Sequence, residues 1–275
     1  MLVVDTHAYV IARDDPAYAT IPDVAGWVQH SVTVEQLVSL MDAAGVSKAT
    51  LIQALQAHDY DNSYTIDSAA RFPGRFVAVG MYDLASTETS SSAKLRYEVT
   101  RRGVRGARVT PRGFTSEMAL RAWRMAEELG VPVIIAAARP DSLAAIAEIA
   151  VRFPGVRLLL EGLALTNEVY EGPPFDKQQP LFDLSRHANV YLKWCTDQLI
   201  DMPDPDWQRA FLRRLVDVYG AERVMWGSRY PYRHEPEWTY GTQLEVALRA
   251  VEELTEDEQR LVMGGSALNL WPELS

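Results

Sequence analysis

Side chains able to move or share protons follow the first apolar run of the sequence. Asp5, His7 and Tyr9 alternate with Thr6 and Ala8, and in an extended strand a period of two directs alternate side chains to one face. An imidazole titrates near neutral pH, and a carboxylate or phenol beside it can orient it or share its proton. We therefore predict an acid–base site that contains Asp5, His7 and Tyr9.

A further candidate acid is Glu161, which ends a run of leucines at 158–160. A carboxylate at the end of a buried strand either pairs with a cation or has a raised pKa. Two roles therefore remain open for Glu161. It forms an ion pair with Arg108 or Arg229, or it takes part in catalysis.

Cationic side chains recur after the later apolar runs. In a chain with a formal net charge of −10, their clustering predicts a local positive region, and arginine binds carboxylates through paired hydrogen bonds. We therefore predict that the protein binds a small carboxylate-bearing, cyclic molecule, with Tyr230 and His234 also in contact with it. The cations at these positions are Arg108, Arg112, Arg139, Lys193, Arg229 and Arg233.

All of these residues lie at the ends of short apolar runs that alternate with helical patterns. Eight strands separated by helices predict a parallel sheet that closes into a (β/α)₈ barrel, with residues 1–275 as one domain and the active site at the carboxyl ends of the strands. An open doubly wound sheet is the alternative, but no glycine-rich phosphate loop follows the first strand. The predicted strands are 2–5, 49–53, 76–81, 105–109, 132–136, 156–161, 189–193 and 223–227, and the clearest helices are 33–44, 116–129, 141–152 and 206–219.

The composition of the chain indicates which binding partners and which cellular location are expected. The 275 residues, 48% hydrophobic, suit one barrel, and the acidic net charge argues against nucleic acid or an anionic membrane as partner. Cys195 is the single cysteine, so no intrachain disulfide is expected, and a lone cysteine usually packs as a small apolar side chain. With no basic leader and no apolar stretch of about 18 residues, we expect a cytoplasmic protein without a membrane span. A homo-oligomer is left open.

Several collinear segments resemble the amidohydrolase superfamily, in the branch called amidohydrolase-2. That branch holds metal-dependent hydrolases, decarboxylases and 2-pyrone-4,6-dicarboxylate lactonase. The resemblance extends from Leu2 to about Trp271 and implies the barrel fold with hydrolase or lyase chemistry. The segments that carry it are 5–9, 33–46, 103–108, 128–132, 153–156 and 226–231.

The chain departs from this family at the positions of its metal ligands. His7 is kept, but Tyr9 replaces the second histidine of the first strand, and Ala136 replaces the histidine that ends the fifth. Glu161 stands where the family often has Asp-His, and Arg229 replaces the aspartate that binds metal and activates water. A catalytic zinc needs about three protein ligands, and a guanidinium stays charged. We therefore predict an enzyme without a catalytic metal or other cofactor.

The favoured hypothesis is lactone-type hydrolysis in which Asp5, His7 or Glu161 activates water. The same three side chains are the remaining set that could bind a metal in a new arrangement. An alternative is a lyase, decarboxylase, isomerase or cyclase reaction, in which His7 or Tyr9 moves the proton. A second alternative is a non-catalytic barrel that binds a ligand or a partner subunit. In the favoured hydrolysis, the oxyanion that develops on the lactone carbonyl would be stabilised by Arg108, Lys193 or Arg229.

Overall fold

A computed structural model describes residues 1–12, 15–22, 25–84, 91–165, 169–170 and 172–275. Within this part of the chain, eight parallel strands form one sheet in sequence order. The first and last strands meet through a parallel bridge between Ala8 and Tyr230, so the sheet is a nearly closed barrel. The predicted (β/α)₈ fold is confirmed. The strands are β1 (Val4–Ala8), β2 (Lys48–Ile52), β3 (Phe76–Met81), β4 (Val104–Val109), β5 (Val133–Ile135), β6 (Leu158–Glu161), β7 (Val190–Cys195) and β8 (Val224–Gly227).

Helices connect successive strands and cover the outside of the barrel. The four helices predicted most clearly are present as α1, α5, α6 and α9, each within two residues of its predicted ends. Among the shorter elements, a 3₁₀ helix at Gly26–His30 follows β1. The helices are α1 (Val34–Ala44), α2 (Leu55–His58), α3 (Ser63–Arg71), α4 (Ser91–Arg102), α5 (Glu117–Leu129), α6 (Leu143–Arg152), α7 (Gln179–Asp183), α8 (Thr196–Leu199), α9 (Pro205–Tyr219), α10 (Tyr240–Ala250), α11 (Glu256–Arg260) and α12 (Ser266–Leu270).

Local sequence sets the ends of α1. The Thr33 hydroxyl accepts a hydrogen bond from the Gln36 N–H, and the Gln36 side chain accepts one from the Thr33 N–H, which is the predicted capping box. Gly45 ends the helix at φ +73°, a left-handed conformation that side chains with a Cβ rarely adopt. Val34, Leu37 and Met41 form the buried face of α1.

The core has two layers, one inside the barrel and one between the barrel and its helices. The C-terminal segment closes the amino-terminal end of the barrel, where the Trp271 indole N–H donates to the Arg105 carbonyl. Buried polar side chains lie towards the carboxyl ends of the strands, among them Arg108 on β4, Glu161 on β6 and Lys193 on β7. The apolar side chains of the inner layer include Val4, Ile52, Val77, Val79, Ile134, Leu159 and Met225.

The predicted alternation along β1 is wrong because the strand contains a bulge. Asp5 pairs with Ala49 and Ala8 with Leu51, so three steps along β1 match two steps along β2. An extra residue reverses the face on which the following side chains lie. Asp5 therefore does not share a face with His7 and Tyr9.

The described residues include no helix that is long and apolar enough to cross a membrane.

Candidate active site

A buried ion pair between β4 and β6 forms the base of the site. Arg108 donates from Nε to Glu161 Oε2 at 2.8 Å and from Nη2 to Oε1 at 2.6 Å, so both carboxylate oxygens are bound by one guanidinium. Burial alone raises the pKa of Glu161, but Arg108, His7 and Lys193 together lower it well below its usual range. Of the two roles left open for Glu161, the structure shows the ion pair with Arg108. A carboxylate whose pKa is lowered in this way is a weak base.

His7 lies beside this pair and is completely buried. Its Nδ1 is 3.8 Å from Glu161 Oε2 and 3.9 Å from Cys195 Sγ. Burial, followed by the charge of Lys193, holds the pKa of His7 well below its usual range, so the imidazole is neutral at pH 7. The described residues provide no hydrogen-bond partner for Nε2.

Lys193 and Cys195 on β7 complete this buried group. Lys193 pairs in register with Glu161 across β6 and β7, and its Nζ is 3.6 Å from Glu161 Oε2. Burial lowers the pKa of Lys193 and raises that of Cys195 well above its usual range, which keeps the thiol protonated. No sequence motif pairs Cys195 with His7, because only closure of the barrel brings β1 and β7 together.

A cavity of about 290 Å³ opens above this group at the carboxyl ends of the strands. Arg108 and Tyr9 both line it, and Arg108 Nη2 donates to the Tyr9 hydroxyl oxygen at 3.4 Å. Trp27, from the 3₁₀ helix, contacts the ring of Tyr9 at 4.9 Å between ring centres. The cavity is lined by Tyr9, Trp27, Ala54, Leu55, Gln56, Met81, Arg108, Thr110, Ala136, Ala137, Arg229 and Tyr232.

The second guanidinium in the cavity belongs to Arg229, after β8. Its Nη1 donates to Asp197 Oδ2 at 2.8 Å, and its Cζ lies 4.0 Å from the ring centre of Tyr232. Its backbone N–H donates to the His7 carbonyl at 2.7 Å, which fixes the loop against β1. Sequence reasoning missed Asp197, whereas Tyr232 was among the aromatic residues expected to form the wall of a pocket. The available signal for Asp197 was a carboxylate two residues past the end of β7.

Asp5, which was predicted to act in catalysis, lies outside the lining of the cavity. Its Oδ1 accepts from the Ser228 N–H at 2.8 Å and its Oδ2 from the Ser228 hydroxyl at 2.6 Å and the Tyr240 hydroxyl at 3.0 Å. The His7 N–H also donates to Oδ1. Asp5 therefore joins β1 to the β8 loop and α10 and does not line the cavity.

Three of the predicted ligand contacts lie away from this cavity. Arg112 is exposed in the turn after β4. From this part of the chain, Arg108 and Thr110 line the cavity and Arg112 does not. The ring of Tyr230 packs edge-on against Tyr240 at 5.5 Å, so Tyr232 takes its place in the wall. His234 is exposed and stacks on His30 at 4.3 Å. A larger groove of about 630 Å³ elsewhere is lined by none of the predicted site residues.

The predicted positive region is largely neutralised by carboxylates. Arg108 is paired with Glu161 and Arg229 with Asp197, while Arg233 is paired with Asp201. These carboxylates lie far apart in the sequence, and the sequence pattern showed only the cations. The cavity offers directed hydrogen-bond donors and little excess charge.

The family model described as amidohydrolase matches residues 4–272, nearly the whole chain. The protein belongs to the amidohydrolase family. Membership makes it an enzyme of hydrolase or lyase type, and the predicted family is confirmed.

Individual relatives of this amidohydrolase include a lactonase. The L-fucono-1,5-lactonase of Burkholderia ambifaria is 25% identical over 212 residues, which are 72% of this chain and 69% of the relative. A structure from Pseudomonas putida assigned as a 2-pyrone-4,6-dicarboxylic acid hydrolase has a TM-score of 0.80 at 21% identity, covering 99% and 98% of the two chains. The 5-carboxyvanillate decarboxylase of Sphingomonas paucimobilis has a TM-score of 0.71 at 14% identity, covering 98% and 99%. At these identities the structural likeness shows the fold alone.

The residues at the family's metal positions do not fit a divalent ion in this amidohydrolase. Both oxygens of Glu161 are bound by Arg108, and Arg229 brings a guanidinium to the end of β8. In the part of the chain that the structure describes, no group of three or more histidine, cysteine, aspartate or glutamate side chains could hold a metal. Both oxygens of Asp5 accept hydrogen bonds from Ser228, Tyr240 and the His7 N–H, so the alternative ligand set of Asp5, His7 and Glu161 is not assembled.

Proposed function

We propose that this amidohydrolase is a metal-independent lactonase that opens a small cyclic ester. The observation that carries the proposal is that Arg108, Arg229 and Tyr9 line the same cavity. The lactonase relative from Burkholderia ambifaria supports the same reaction class.

The donors match the charge that develops during ester hydrolysis. Attack on a lactone carbonyl creates an oxyanion, and directed donors in a desolvated site stabilise it most where they are fixed in advance. Arg108 is fixed by Glu161 and Arg229 by Asp197. When the ring opens, the same guanidiniums can bind the new carboxylate, which accounts for the predicted preference for a carboxylate-bearing ligand.

Tyr9 is suited to protonate the leaving ring oxygen. Burial raises the pKa of Tyr9, so the phenol keeps its proton at neutral pH. Its oxygen accepts from Arg108, which leaves the O–H free to donate to a ligand. Trp27 and Tyr232 form flat walls against which a ring can pack.

His7, Glu161 and Lys193 lie beneath the cavity and do not line it. We assign them to supporting the Arg108 guanidinium: Glu161 binds it directly, while His7 and Lys193 set the electrostatic environment of Glu161. Metal independence is part of the proposal, because the carboxylates that could bind a metal ion, Glu161 and Asp197, are already paired with arginine side chains.

The test is an assay of 1,5-lactones, including L-fucono-1,5-lactone and D-glucono-1,5-lactone, with and without EDTA. We expect turnover that EDTA does not change, and purified protein without stoichiometric zinc, manganese or iron. One tightly bound ion per chain, or loss of activity in EDTA, would contradict metal independence. Absence of lactone turnover together with release of CO₂ from aromatic carboxylic acids would favour the lyase alternative.

A matched pair of variants tests the role of the guanidinium. Arg229→Gln should reduce kcat/KM by about 10²–10³-fold, the usual effect of losing an oxyanion donor. Arg233→Gln removes a guanidinium of the same loop that pairs with Asp201 outside the cavity, and it should retain wild-type activity. Equal losses in both variants would contradict the assignment.

A further inference from the structure

We propose that Gln56 determines which lactones the enzyme accepts, by donating its amide N–H groups to a carboxylate or keto oxygen carried by the ring. The inference rests on the proposed lactonase function and names its substrate class. Lactones with a carboxylate or keto substituent are preferred over lactones whose ring is covered by hydroxyl groups. The preference follows from the fixed orientation of the Gln56 amide and from the excess of donors in the cavity lining.

A hydrogen bond from Trp27 fixes the orientation of the Gln56 amide. The Trp27 indole Nε1 donates to Gln56 Oε1 at 2.6 Å, and both residues line the cavity. An indole N–H can donate but cannot accept, so the amide oxygen must face it. The bond engages the acceptor end of the Gln56 side chain and leaves the NH₂ end, with its two donors, for a ligand.

Both partners of this hydrogen bond are held by the surrounding structure. Trp27 is buried, and its ring centre lies 4.9 Å from that of Tyr9. Gln56 belongs to α2, where the Ala57 carbonyl accepts from the Ile21 N–H at 2.8 Å. The amide therefore has a defined place in the cavity wall, and a donor that is fixed in advance loses less entropy when a ligand binds.

The other polar side chains of the lining are also mainly donors. Arg108 and Arg229 carry guanidiniums, which cannot accept, and the Tyr9 oxygen already accepts from Arg108. Thr110 contributes a hydroxyl that can donate or accept. Among the described residues that line the cavity there is no carboxylate, and the nearby Glu161 is paired with Arg108.

A lining of donors favours ligands that carry acceptors. A carboxylate or keto oxygen accepts from an NH₂ group and has no donor of its own that needs a partner. A ring hydroxyl can accept the same hydrogen bond, but its own O–H then requires an acceptor. A buried donor left without a partner costs binding free energy. The cavity therefore suits a lactone with an acceptor substituent better than a polyhydroxylated one.

The kinetic test uses Gln56→Glu, which replaces the NH₂ group by a carboxylate oxygen and keeps an oxygen facing Trp27. The substrates are 2-pyrone-5-carboxylate, unsubstituted 2-pyrone and D-glucono-1,5-lactone. These rings differ in intrinsic reactivity, so the informative quantity is the change in the ratios of kcat/KM between wild type and variant. The ratio of 2-pyrone-5-carboxylate to 2-pyrone should fall by about 10–100-fold, the effect of losing a hydrogen bond to a charged group. The ratio of D-glucono-1,5-lactone to 2-pyrone should not fall.

Gln36→Glu is the matched control. Gln36 is exposed near the start of α1, and its Oε1 accepts from the Thr33 N–H at 2.8 Å, so its amide oxygen is engaged in the same way. Glutamate suits a capping box as well as glutamine does, and Gln36 does not line this cavity. The three substrates should keep their wild-type ratios in this variant. Gln56 is also exposed, so both changes should leave the fold intact.

Trp27→Phe tests the orienting role of the indole separately. Phenylalanine keeps an aromatic ring in the wall but removes the N–H, which frees the Gln56 amide to turn its oxygen towards a ligand. The preference for 2-pyrone-5-carboxylate over 2-pyrone should decrease. An equal loss of kcat/KM for all three substrates would show that Trp27 acts by packing alone and would contradict its orienting role.

Calorimetric measurement of 2-pyrone-5-carboxylate binding separates this inference from the proposed function. If lactones are hydrolysed and Gln56→Glu keeps the wild-type ratios, the role of Gln56 is refuted and the lactonase function stands. If no lactone is hydrolysed but Kd rises about 10–100-fold in Gln56→Glu and is unchanged in Gln36→Glu, the donor role of Gln56 stands and the lactonase function is refuted. Absence of both binding and turnover would refute both.

Discussion

Glu161 illustrates how a single buried carboxylate organises this site. Three cationic or basic side chains approach it within 4 Å, at 2.6 Å for Arg108, 3.6 Å for Lys193 and 3.8 Å for His7. Desolvation of a charged group is costly, and removing one partner of a buried pair leaves the other uncompensated. The stability of the fold and the position of Arg108 should therefore depend on the same side chain.

Replacing Glu161 by glutamine should destabilise the protein by about 3–5 kcal/mol, the range for breaking a buried ion pair. Glu258→Gln is the matched control, because Arg213 binds Glu258 through two hydrogen bonds of 2.7 and 2.8 Å near the surface. That loss should be about 0–1 kcal/mol. Urea unfolding of both variants measures the difference. Similar losses would show that burial of the Glu161 pair adds little.

Sequence reasoning at the residue scale identified Glu161 and left its two roles open. The pairing with Arg108 was one of them, because a charge that ends a buried strand requires a partner. The pairing of Arg229 with Asp197 was not predicted, since it depends on the orientation of two loops that follow different strands. Tyr9 and Arg108 do reach the cavity, whereas Arg112, Tyr230 and His234 do not line it.

At the scale of elements, the junction between β1 and β8 determines what enters the cavity. The bulge in β1 separates Asp5 from His7, and Asp5 then binds Ser228 and Tyr240. The same loop carries Arg229. The predicted catalytic carboxylate is therefore a structural one that holds the Arg229 loop in place.

Tyr240→Phe should cost about 1.5–3 kcal/mol of stability, because the hydroxyl donates to a buried carboxylate. Activity should fall much less than in Arg229→Gln, because Ser228 still holds Asp5. Tyr230→Phe removes a hydroxyl from the adjacent ring and should change the free energy of unfolding by less than about 0.5 kcal/mol. Thermal and urea unfolding measure both. A neutral Tyr240→Phe would argue against this role for Asp5.

Strand and helix positions were predictable because each rests on local signals. The apolar runs and the capping box of α1 locate elements to within a few residues. The bulge was not predictable, because it depends on how β1 pairs with β2. One extra residue was enough to invalidate the alternation that grouped Asp5 with His7.

At the scale of the whole molecule, the buried imidazole links stability to pH. The pKa of His7 is lowered well below 6.5 by burial and by Lys193. Below about pH 6.5 the unfolded chain therefore binds a proton that the folded protein does not. The contribution of His7 to stability is complete above this pH and decreases as the pH falls towards the folded pKa.

The free energy of unfolding should accordingly decrease by up to about 1.4 kcal/mol per pH unit below pH 6.5 on account of His7. Comparison with His7→Gln isolates this group, since the other buried acids are present in both proteins. The wild-type value minus the variant value should shrink between pH 7.5 and pH 5. A constant difference over this range would contradict a buried, neutral imidazole. A second loss, from Glu161, should begin only below about pH 4.5.

The barrel as a whole was predicted from the alternation of eight strands with helices and from the family resemblance. The location of the site at the carboxyl ends of the strands followed from the fold. The charge balance of the cavity did not, because the pairing of cations with distant carboxylates is a property of the closed barrel.

The Asp197–Arg229 pair also bears on the evolutionary history of this chain. Neither residue can be changed alone without leaving its partner buried and uncompensated, so drift at one position is restrained by the other. We therefore expect chains related to this one to keep both charges or to lose both.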